Sequence, residues 1–253
     1  MKKVLSVVLC AALLLTCLAG CNKKGSDELT TVTEGKLIMA TNAEFPPYEY
    51  YDGDNIVGID AEVAELIAQK LGLTLEIADI DFDSIVPGVQ TGKYDMGMAG
   101  MTVNEERQQK VNFTDPYAKG VQVVIVKEGG SVASLDDIKG KKIGVQQTTT
   151  GDIYATDEYG EEAMVRYQNG ALAVEGLKSG KVDCVIIDNE PAKAYVKANT
   201  GLKILDTEYA NEDYAICIAK ENDKLLEKVN AALKELIADG SVQKIVDKYI
   251  PAE

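Results

Sequence analysis

Residues 94–107 read YDMGMAGMTVNEER, an apolar run with β-strand composition that leads into a polar segment ending at Arg107. Along the rest of the chain, further short β-rich runs alternate with longer segments in which apolar residues recur at helical spacing. These runs lie at residues 37–40, 73–77, 121–126, 142–145, 182–187 and 214–219. Alternation of strands and helices is typical of α/β architecture. The sequence therefore predicts an α/β fold.

Two segments show the clearest helical spacing. In the first, Asp60 is the expected N-cap and Gly72 the expected stop, with apolar residues three or four positions apart between them. In the second, an apolar stripe runs from Leu225 to Ile237 and is followed by Gly240 and a shorter stripe. We expect the first helix to pack one face on a sheet, and we expect two C-terminal helices joined at Gly240.

The N-terminal residues are typical of a targeting segment. Two lysines precede an apolar stretch from Val4 to Leu15, and the sequence LAGC follows at residues 18–21. This run is shorter than the about 20 apolar residues that cross a bilayer. Residues 1–20 are therefore predicted to be a secretory signal.

The ending LAGC also resembles a bacterial lipobox. This resemblance implies that the thiol of Cys21 carries a lipid and that Cys21 becomes the mature N-terminus. Residues 22–27 are polar and lack an apolar period, so we expect residues 21–35 to form a flexible tether between the lipid and a body that begins near Lys36. The protein is then expected on the extracytoplasmic face of the cell membrane.

The charge balance argues against nucleic acid as a partner. The chain has 26 basic and 41 acidic side chains, and its net charge of −15 becomes −17 once the two lysines of the signal are removed. Binding to phosphate backbones needs clustered Lys and Arg. An acidic surface mainly keeps a secreted protein soluble.

Several kinds of chemistry lack their residues. The chain has no histidine, which removes histidine-dependent catalytic triads and the commonest metal ligand. The acidic residues 52–55 do not form a calcium loop, because Ile56 occupies the next ligand position, and they predict a turn instead. Cys184 and Cys217 lie in apolar runs and are expected to be buried free thiols. We expect no catalytic residue, no metal and no cofactor.

Ordered motifs cover essentially all of residues 36–250. They are ATNAEFPPYEY (40–50), GIDAE (58–62), DFDSIVP (81–87), YDMGMAGMTVNEER (94–107), FTDPY (113–117), GVQQTTTG (144–151) and DCVIIDN (183–189). In these motifs the chain resembles the amino-acid-binding family of bacterial extracellular solute-binding proteins, family 3, the receptors of ABC importers.

The resemblance implies a two-lobed periplasmic-binding-protein fold of type II, in which each lobe is a central sheet flanked by helices. Lobe 1 would contain residues 36–119 and 217–253, and lobe 2 residues 120–216. Two hinge strands near residues 119–122 and 214–216 would join the lobes. A ligand would bind in the cleft between them.

Two charged residues match the family's contacts to a zwitterion. Arg107 is one of two arginines in a chain with 24 lysines, and it matches the clamp for the ligand's α-carboxylate, a task that suits a planar guanidinium. The alternative for Arg107 is an ion pair within the lobe or on the surface. Asp188 matches the acid that holds the α-amino group, and its alternative is a helix cap.

The remaining implied contacts are uncharged, with one exception. Along the lobe 1 rim they are Ala99, Gly100 and Thr102; across the cleft, where a helix N-terminus is expected, they are Gln147, Thr150 and Gly151; and the aromatic wall is Phe45, Tyr48 and Phe82. Phe45, Tyr48, Phe82 and the threonine-rich turn could equally be core or a cap. The exception is Glu44, where many relatives have a small residue. It would favour a cationic ligand if it points into the pocket and would be ordinary surface if it points outward.

The resemblance implies a transport receptor that binds a polar L-amino acid and delivers it to a membrane permease. Glu44 directs the expectation toward arginine or lysine, with glutamine as the other possibility, and a monomer is expected. Two alternatives stay open from the sequence. One is an enzyme similar to cyclohexadienyl dehydratases, with Glu190 or Glu44 as the general acid. The other is a sensory domain that signals through a separate partner.

Overall fold

The structure is a computed structural model that describes residues 29–206 and 209–251. The predicted signal, Cys21 and the first part of the predicted tether lie outside these residues. Within them, no helix combines the length and the apolar character needed to cross a membrane.

The end of the predicted tether contacts the body. The backbone N–H of Val32 donates to Oδ1 of Asp95 at 2.7 Å, and Leu29 packs against the core. These contacts place ordered chain ahead of Lys36, where the sequence predicted the body to begin. The sequence missed them because a single buried aspartate supplies the acceptor.

The described residues form strands and helices in the alternating order that the sequence predicts. The strands are β1 Lys36–Thr41, β2 Glu44–Phe45, β3 Glu49–Asp52, β4 Asn55–Val57, β5 Thr74–Asp79, β6 Met96–Gly97, β7 Val111–Phe113, β8 Ala118–Lys127, β9 Ile143–Gln146, β10 Met164–Tyr167, β11 Cys184–Asp188, β12 Leu202–Ile204, β13 Ala210–Tyr214 and β14 Cys217–Ala219. The α-helices are α1 Ile59–Leu71, α2 Ile85–Gln90, α3 Glu105–Lys110, α4 Thr150–Tyr159, α5 Gly170–Ser179, α6 Asn189–Ala198, α7 Asp223–Ala238 and α8 Ser241–Tyr249.

The first sheet has the strand order β5-β1-β6-β14-β7, with β1 parallel to β5 and β6, and β14 antiparallel to its neighbours. Successive side chains of a strand point to opposite faces. On β1, Leu37 and Met39 accordingly join the apolar cluster of α1, α7 and α8, whereas Ile38 and Ala40 join that of α2. Helices therefore cover both faces.

The second sheet has the order β10-β9-β11-β8-β12, with β13 also paired to β8. On β8, Val123 and Ile125 belong to the cluster that includes α5 and α6, whereas Val124 and Val126 belong to the one that includes α4. Alternation again serves two covered faces. A separate three-stranded sheet, β2-β3-β4, includes the predicted turn, where Asp52 pairs with Asn55.

The predicted strand at residues 214–219 is two strands in two sheets. Strand β13 ends at Tyr214 in the second sheet, and β14 begins at Cys217 in the first. Every residue from Tyr214 to Ile218 is fully buried. The crossing lies at residues 215–216, within the hinge that the family resemblance implied near residues 214–216, whereas the continuous apolar run alone contains no signal for it.

The prediction that Asp60 caps α1 is wrong. The cap is Gly58, whose φ of 125° lies in the left-handed region and which makes no side-chain cap. A Cβ at Gly58 would lie 2.2 Å from the carbonyl oxygen of Tyr48, so the close approach needs glycine. Asp60 is instead fully buried. Its carboxylate makes tertiary contacts and does not cap the helix.

The other helix predictions are confirmed. Gly72 ends α1 in the left-handed conformation, and Gly240, with φ of 79°, separates α7 from α8. Cys184 and Cys217 are buried free thiols in different sheets. Burial raises the pKa of each thiol to about 12.

Candidate ligand-binding site

A small cavity lies between the two sheets and is lined from both sides. Its lining residues are Asn42, Phe45, Glu49, Phe82, Ala99, Gly100, Thr102 and Arg107 from the first lobe, and Gln146, Thr149, Thr150 and Asp188 from the second. Its volume of about 20 Å³ is enough for one water molecule but not for an amino acid. A solute of that size can enter only if the lobes separate.

The guanidinium of Arg107 joins the two lobes. Nη1 donates to the carbonyl of Thr102 at 2.6 Å, and Nη2 donates to the carbonyl of Thr148, in the other lobe, at 3.1 Å. The ring of Phe82 lies 5.2 Å from the guanidinium carbon. Arg107 is buried. Burial lowers its pKa, and the negative charges of Glu212 and Asp188 act in the opposite direction.

Within the described residues, Arg107 does not form the ion pair that was its alternative role. Its side chain forms no salt bridge with any carboxylate of the described residues. A guanidinium has five N–H donors, of which these contacts use two. A buried cation that lacks an anionic partner favours the entry of an anion such as a carboxylate.

Thr102 and Thr150 meet across the cleft, with 3.4 Å between their hydroxyl oxygens. Thr150 is the first residue of α4, which Thr149 caps by accepting from the backbone of Asp152 at 3.3 Å. The first N–H groups of a helix have no internal partner and attract anions. Beside them, Gly151 is packed against Ile186 and Gln122 and does not line the cavity.

Asp188 ends β11, and its carboxylate faces the cavity. It occupies the N-cap position of α6, but its side chain makes no capping hydrogen bond and instead accepts from the hydroxyl of Tyr214. Burial and the nearby charge of Glu212 raise the pKa of Asp188 to about 7. Glu212 itself accepts from Nε2 of Gln122 at 2.9 Å.

A second acidic group belongs to Glu49, which was not among the predicted site residues. Its carboxyl is buried against that of Asp60. Asp60 accepts from the backbone N–H of Gly100 and from the hydroxyl of Tyr117, both at 2.8 Å. Burial raises the pKa of both acids, well above the usual range for Glu49 and to about 6 for Asp60.

The aromatic residues divide into two groups. Phe45 and Phe82 line the cavity, whereas Tyr48 does not. Tyr48 packs edge-on against Tyr214 with ring centroids 5.2 Å apart. Gly100, with φ of 49°, makes the close packing of Phe45 possible, because a Cβ there would lie 2.7 Å from the ring.

Glu44 and Gln147 lie outside the cavity. Glu44 is exposed and lines an open groove together with Asp79, Asp81 and Asp83. Partial desolvation by its neighbours and the charge of Asp79 raise its pKa. Gln147 donates from Nε2 to Oδ2 of Asp83 at 2.8 Å and so joins the lobes at the rim.

The register of the β2-β3 hairpin explains why Glu49 rather than Glu44 lines the cavity. Phe45 is the cross-strand partner of Glu49, and Glu44 is the partner of Tyr50. Directly opposed residues point to the same face of a sheet. Glu49 therefore shares the cavity face with Phe45. Knowledge of this strand register would have been needed to predict Glu49 as a site residue.

Asn42, Gln146 and Thr149 also line the cavity and were not among the predicted site residues. Nε2 of Gln146 donates to Oδ1 of Asn42 across the cleft at 2.9 Å. Single polar residues beside a strand end carry no signal that separates them from ordinary surface. No group of three or more Cys, Asp or Glu side chains within residues 29–206 and 209–251 is arranged to hold a metal ion.

Comparison with known proteins places this architecture in a family. The family model of bacterial extracellular solute-binding proteins, family 3, matches residues 37–252. The arginine-binding extracellular protein ArtP of Bacillus subtilis is 34% identical over 259 residues, with all of both chains covered.

Two solved structures are also similar. An ancestral arginine-binding protein bound to glutamine superposes with a TM-score of 0.82 at 42% identity, over 87% of this chain and 100% of that one. The arginine-, lysine-, histidine-binding protein ArtJ of Geobacillus stearothermophilus superposes with a TM-score of 0.82 at 35% identity, over 86% of this chain and 96% of that one. The chain belongs to the bacterial extracellular solute-binding proteins, family 3.

Proposed function

We propose that the protein binds a basic L-amino acid, of the arginine or lysine type, in the cavity between the lobes and delivers it to an ABC permease. The observation that carries this proposal is the charge of the cavity. Among its lining residues, Arg107 is the one cation and is set against the carboxyl groups of Glu49 and Asp188. A zwitterion with a cationic side chain has the complementary set of charges.

The α-carboxylate of the ligand would take the remaining donors of Arg107, with the hydroxyl of Thr102 and the N-terminus of α4 beside it. The α-ammonium would contact Asp188. Charge-assisted hydrogen bonds contribute about 1.5–3 kcal/mol each, so several of them, less the cost of closure, reach the roughly −8 kcal/mol of micromolar binding.

The side chain would extend between Phe45 and Phe82 toward Glu49, with the amides of Asn42 and Gln146 nearby. Aromatic faces attract a guanidinium or ammonium. The relatives support this choice, since ArtP is named for arginine and ArtJ for arginine, lysine and histidine. Glutamine is the second candidate, because an amide could bond to the same polar groups and the ancestral protein is bound to it.

The direct test replaces Arg107 by Ala and by Lys and measures arginine binding by calorimetry. Loss of a buried charged contact costs about 2–5 kcal/mol, so Arg107→Ala is expected to weaken binding at least about 30-fold. Arg107→Lys keeps the charge but loses the fork and should recover only part of the affinity. Lys110→Ala on the same helix is the control, because its side chain pairs with Glu106 at the surface. Unchanged affinity in Arg107→Ala would contradict the proposal.

The permease and the membrane anchor are parts of the same proposal. The ending LAGC at residues 18–21 supports lipid attachment to Cys21, and a tethered receptor raises the local concentration of loaded protein near its permease. In cells fed a labelled fatty acid, the protein should incorporate label and stay with membranes. The Cys21→Ser variant should do neither.

A further inference from the structure

Two carboxyl groups lie close together at the end of the cavity where the ligand side chain is proposed to bind. Binding of the ligand's α-carboxylate and α-ammonium does not require this pair. Glu49 and Asp60 are 1% and 0% exposed, the backbone N–H of Asp60 donates to the carbonyl of Tyr48, the residue before Glu49, at 2.9 Å, and burial and the charge of Asp60 raise the pKa of Glu49. Two like charges in contact and out of water cannot both be ionised, so a buried pair of this kind holds one proton between its members.

The donors around the pair are unevenly distributed. Asp60 accepts through Oδ2 from Gly100 and Tyr117, which favours its ionised form. In the described part of the chain, neither Oε2 of Glu49 nor Oδ1 of Asp60 meets a donor. Glu49 lines the cavity and Asp60 does not. A donor that enters the cavity can therefore reach Glu49, whereas Asp60 lies on the far side of it.

No cation among the described residues compensates the pair. The titratable groups that act on Glu49 and Asp60 from the packed elements are the acid Asp188 and the phenols of Tyr48, Tyr117 and Tyr195. The cation of the cavity, Arg107, is bonded instead to the carbonyls of Thr102 and Thr148. Each neighbour of the pair is therefore neutral or negative, which favours retention of the proton.

We infer that Glu49 and Asp60 share one proton in the ligand-free protein and release it to solvent when a cationic side chain enters the cavity. The inference rests on the proposed function. The balance is one for one: the pair changes from a charge of −1 to −2, the ligand side chain brings +1, and one proton leaves. The charge buried in the cavity is then unchanged, so the cationic side chain brings no additional net charge into the low-dielectric site.

A neutral side chain gains nothing from the release, because it can bond to the protonated pair directly. The pH then sets the selectivity of the site. Where the pair holds its proton and Asp188 is already ionised, arginine affinity should rise about tenfold for each unit of pH, since one proton is released on binding. The affinity for a neutral analogue should not follow this slope, and Glu49 is a specificity-determining residue.

The test counts protons by calorimetry in buffers of different ionisation enthalpy. Asp188, with a pKa of about 7, could release a proton for any amino acid, so the titration is run near pH 8, about one unit above that value. The ligands are L-arginine and L-citrulline, which has the same shape without the side-chain charge. Arginine is expected to release about one proton more than citrulline.

Two variants locate the proton. Glu49→Gln removes the ionisable member while keeping its size, and the extra proton released with arginine should disappear. Glu44→Gln is the control, because that acid lies in the open groove, and the extra proton should remain. If citrulline does not bind, the difference between wild type and Glu49→Gln with arginine decides; if Glu49→Gln does not bind, the two ligands on wild type decide.

Equal proton release by both ligands, or an extra proton that persists in Glu49→Gln, would overturn the inference while leaving arginine binding intact. If arginine, lysine and histidine all fail to bind, the proposed function fails and this inference fails with it.

Discussion

Gln147 donates a hydrogen bond from Nε2 to Oδ2 of Asp83 over 2.8 Å and joins the two lobes outside the enclosed cavity. A second rim contact runs from the hydroxyl of Tyr195 to the carbonyl of Glu44 at 2.7 Å. Neither donor lines the cavity. These contacts exist only when the cleft is closed, so they bias the protein toward the state that encloses a ligand.

Removal of a rim contact should therefore weaken binding without touching the ligand. A hydrogen bond contributes about 1 kcal/mol, so Gln147→Ala is expected to raise the Kd of arginine roughly fivefold, mainly through faster dissociation. Stopped-flow kinetics would measure this. Gln69→Ala is the matched control, because its amide bonds to Glu65 on the surface of α1. A slower association with unchanged dissociation would contradict the role in closure.

Asp188 should make the ligand-free protein less stable as pH rises. Its pKa is raised by burial to about 7, so between about pH 4 and pH 7 the folded state retains a proton that the unfolded state has lost, and stability falls with pH in this window. Asp188→Asn should lack this decline and melt higher near pH 8, by on the order of 2 kcal/mol or about 4–8 °C. Thermal unfolding across pH measures the effect.

The same substitution should weaken amino-acid binding, because it removes the contact proposed for the α-ammonium. A variant that is more stable but binds less separates a site residue from a structural one. If Asp188→Asn were instead less stable at every pH, the raised pKa would not be the dominant property of this carboxyl.

Gly58 should tolerate substitution less well than other glycines with positive φ. Gly58→Ala would place its Cβ 2.2 Å from the carbonyl oxygen of Tyr48, and the expected loss is more than about 2 kcal/mol. Gly129 also has positive φ, at 68°, but has open space around it. Gly129→Ala should therefore cost about 1 kcal/mol, and the difference in melting temperature isolates the steric part.

A thermal-shift panel should rank ligands by side-chain charge. At 100 times its dissociation constant a ligand adds about 2.7 kcal/mol of stability, which is several degrees for a domain of this size. Arginine and lysine are expected to shift the melting temperature most, glutamine less, and glutamate least. The side-chain carboxylate of glutamate would be repelled by Glu49. A panel in which glutamate gives the largest shift would overturn the charge argument.

Much of the fold could be predicted because it depends on local patterns. The alternation of β-rich runs and helical spacing indicated the α/β class, and Gly72 and Gly240 marked helix ends through their conformational freedom. The break between β13 and β14 was expected only from the family resemblance, because the apolar run and its burial are continuous across it. Asp60 was misassigned, since an aspartate before a helical stripe has the same local appearance whether it caps the helix or is buried.

The candidate site was predicted mainly through the match of its motifs to the family, to which residue type added support. Arg107 stands out in a lysine-rich chain, and Asp188 ends a strand of the second sheet; the structure brings both to one cavity. Their roles in binding stay predictions. The choice between Glu44 and Glu49 could not be made, because it depends on which residues of two strands face each other.

By itself, the sequence determined the class of fold, the order of its elements and the motifs that mark the family, since these follow from local periodicity and residue type. Only the tertiary structure decided which carboxyl groups share the cavity. Pairing of Phe45 with Glu49 turns Glu49 inward and Glu44 outward, and packing of α1 brings Asp60 behind it. Side-chain direction in a sheet has a period of two, so the register between strands determines which charge is buried beside the cavity.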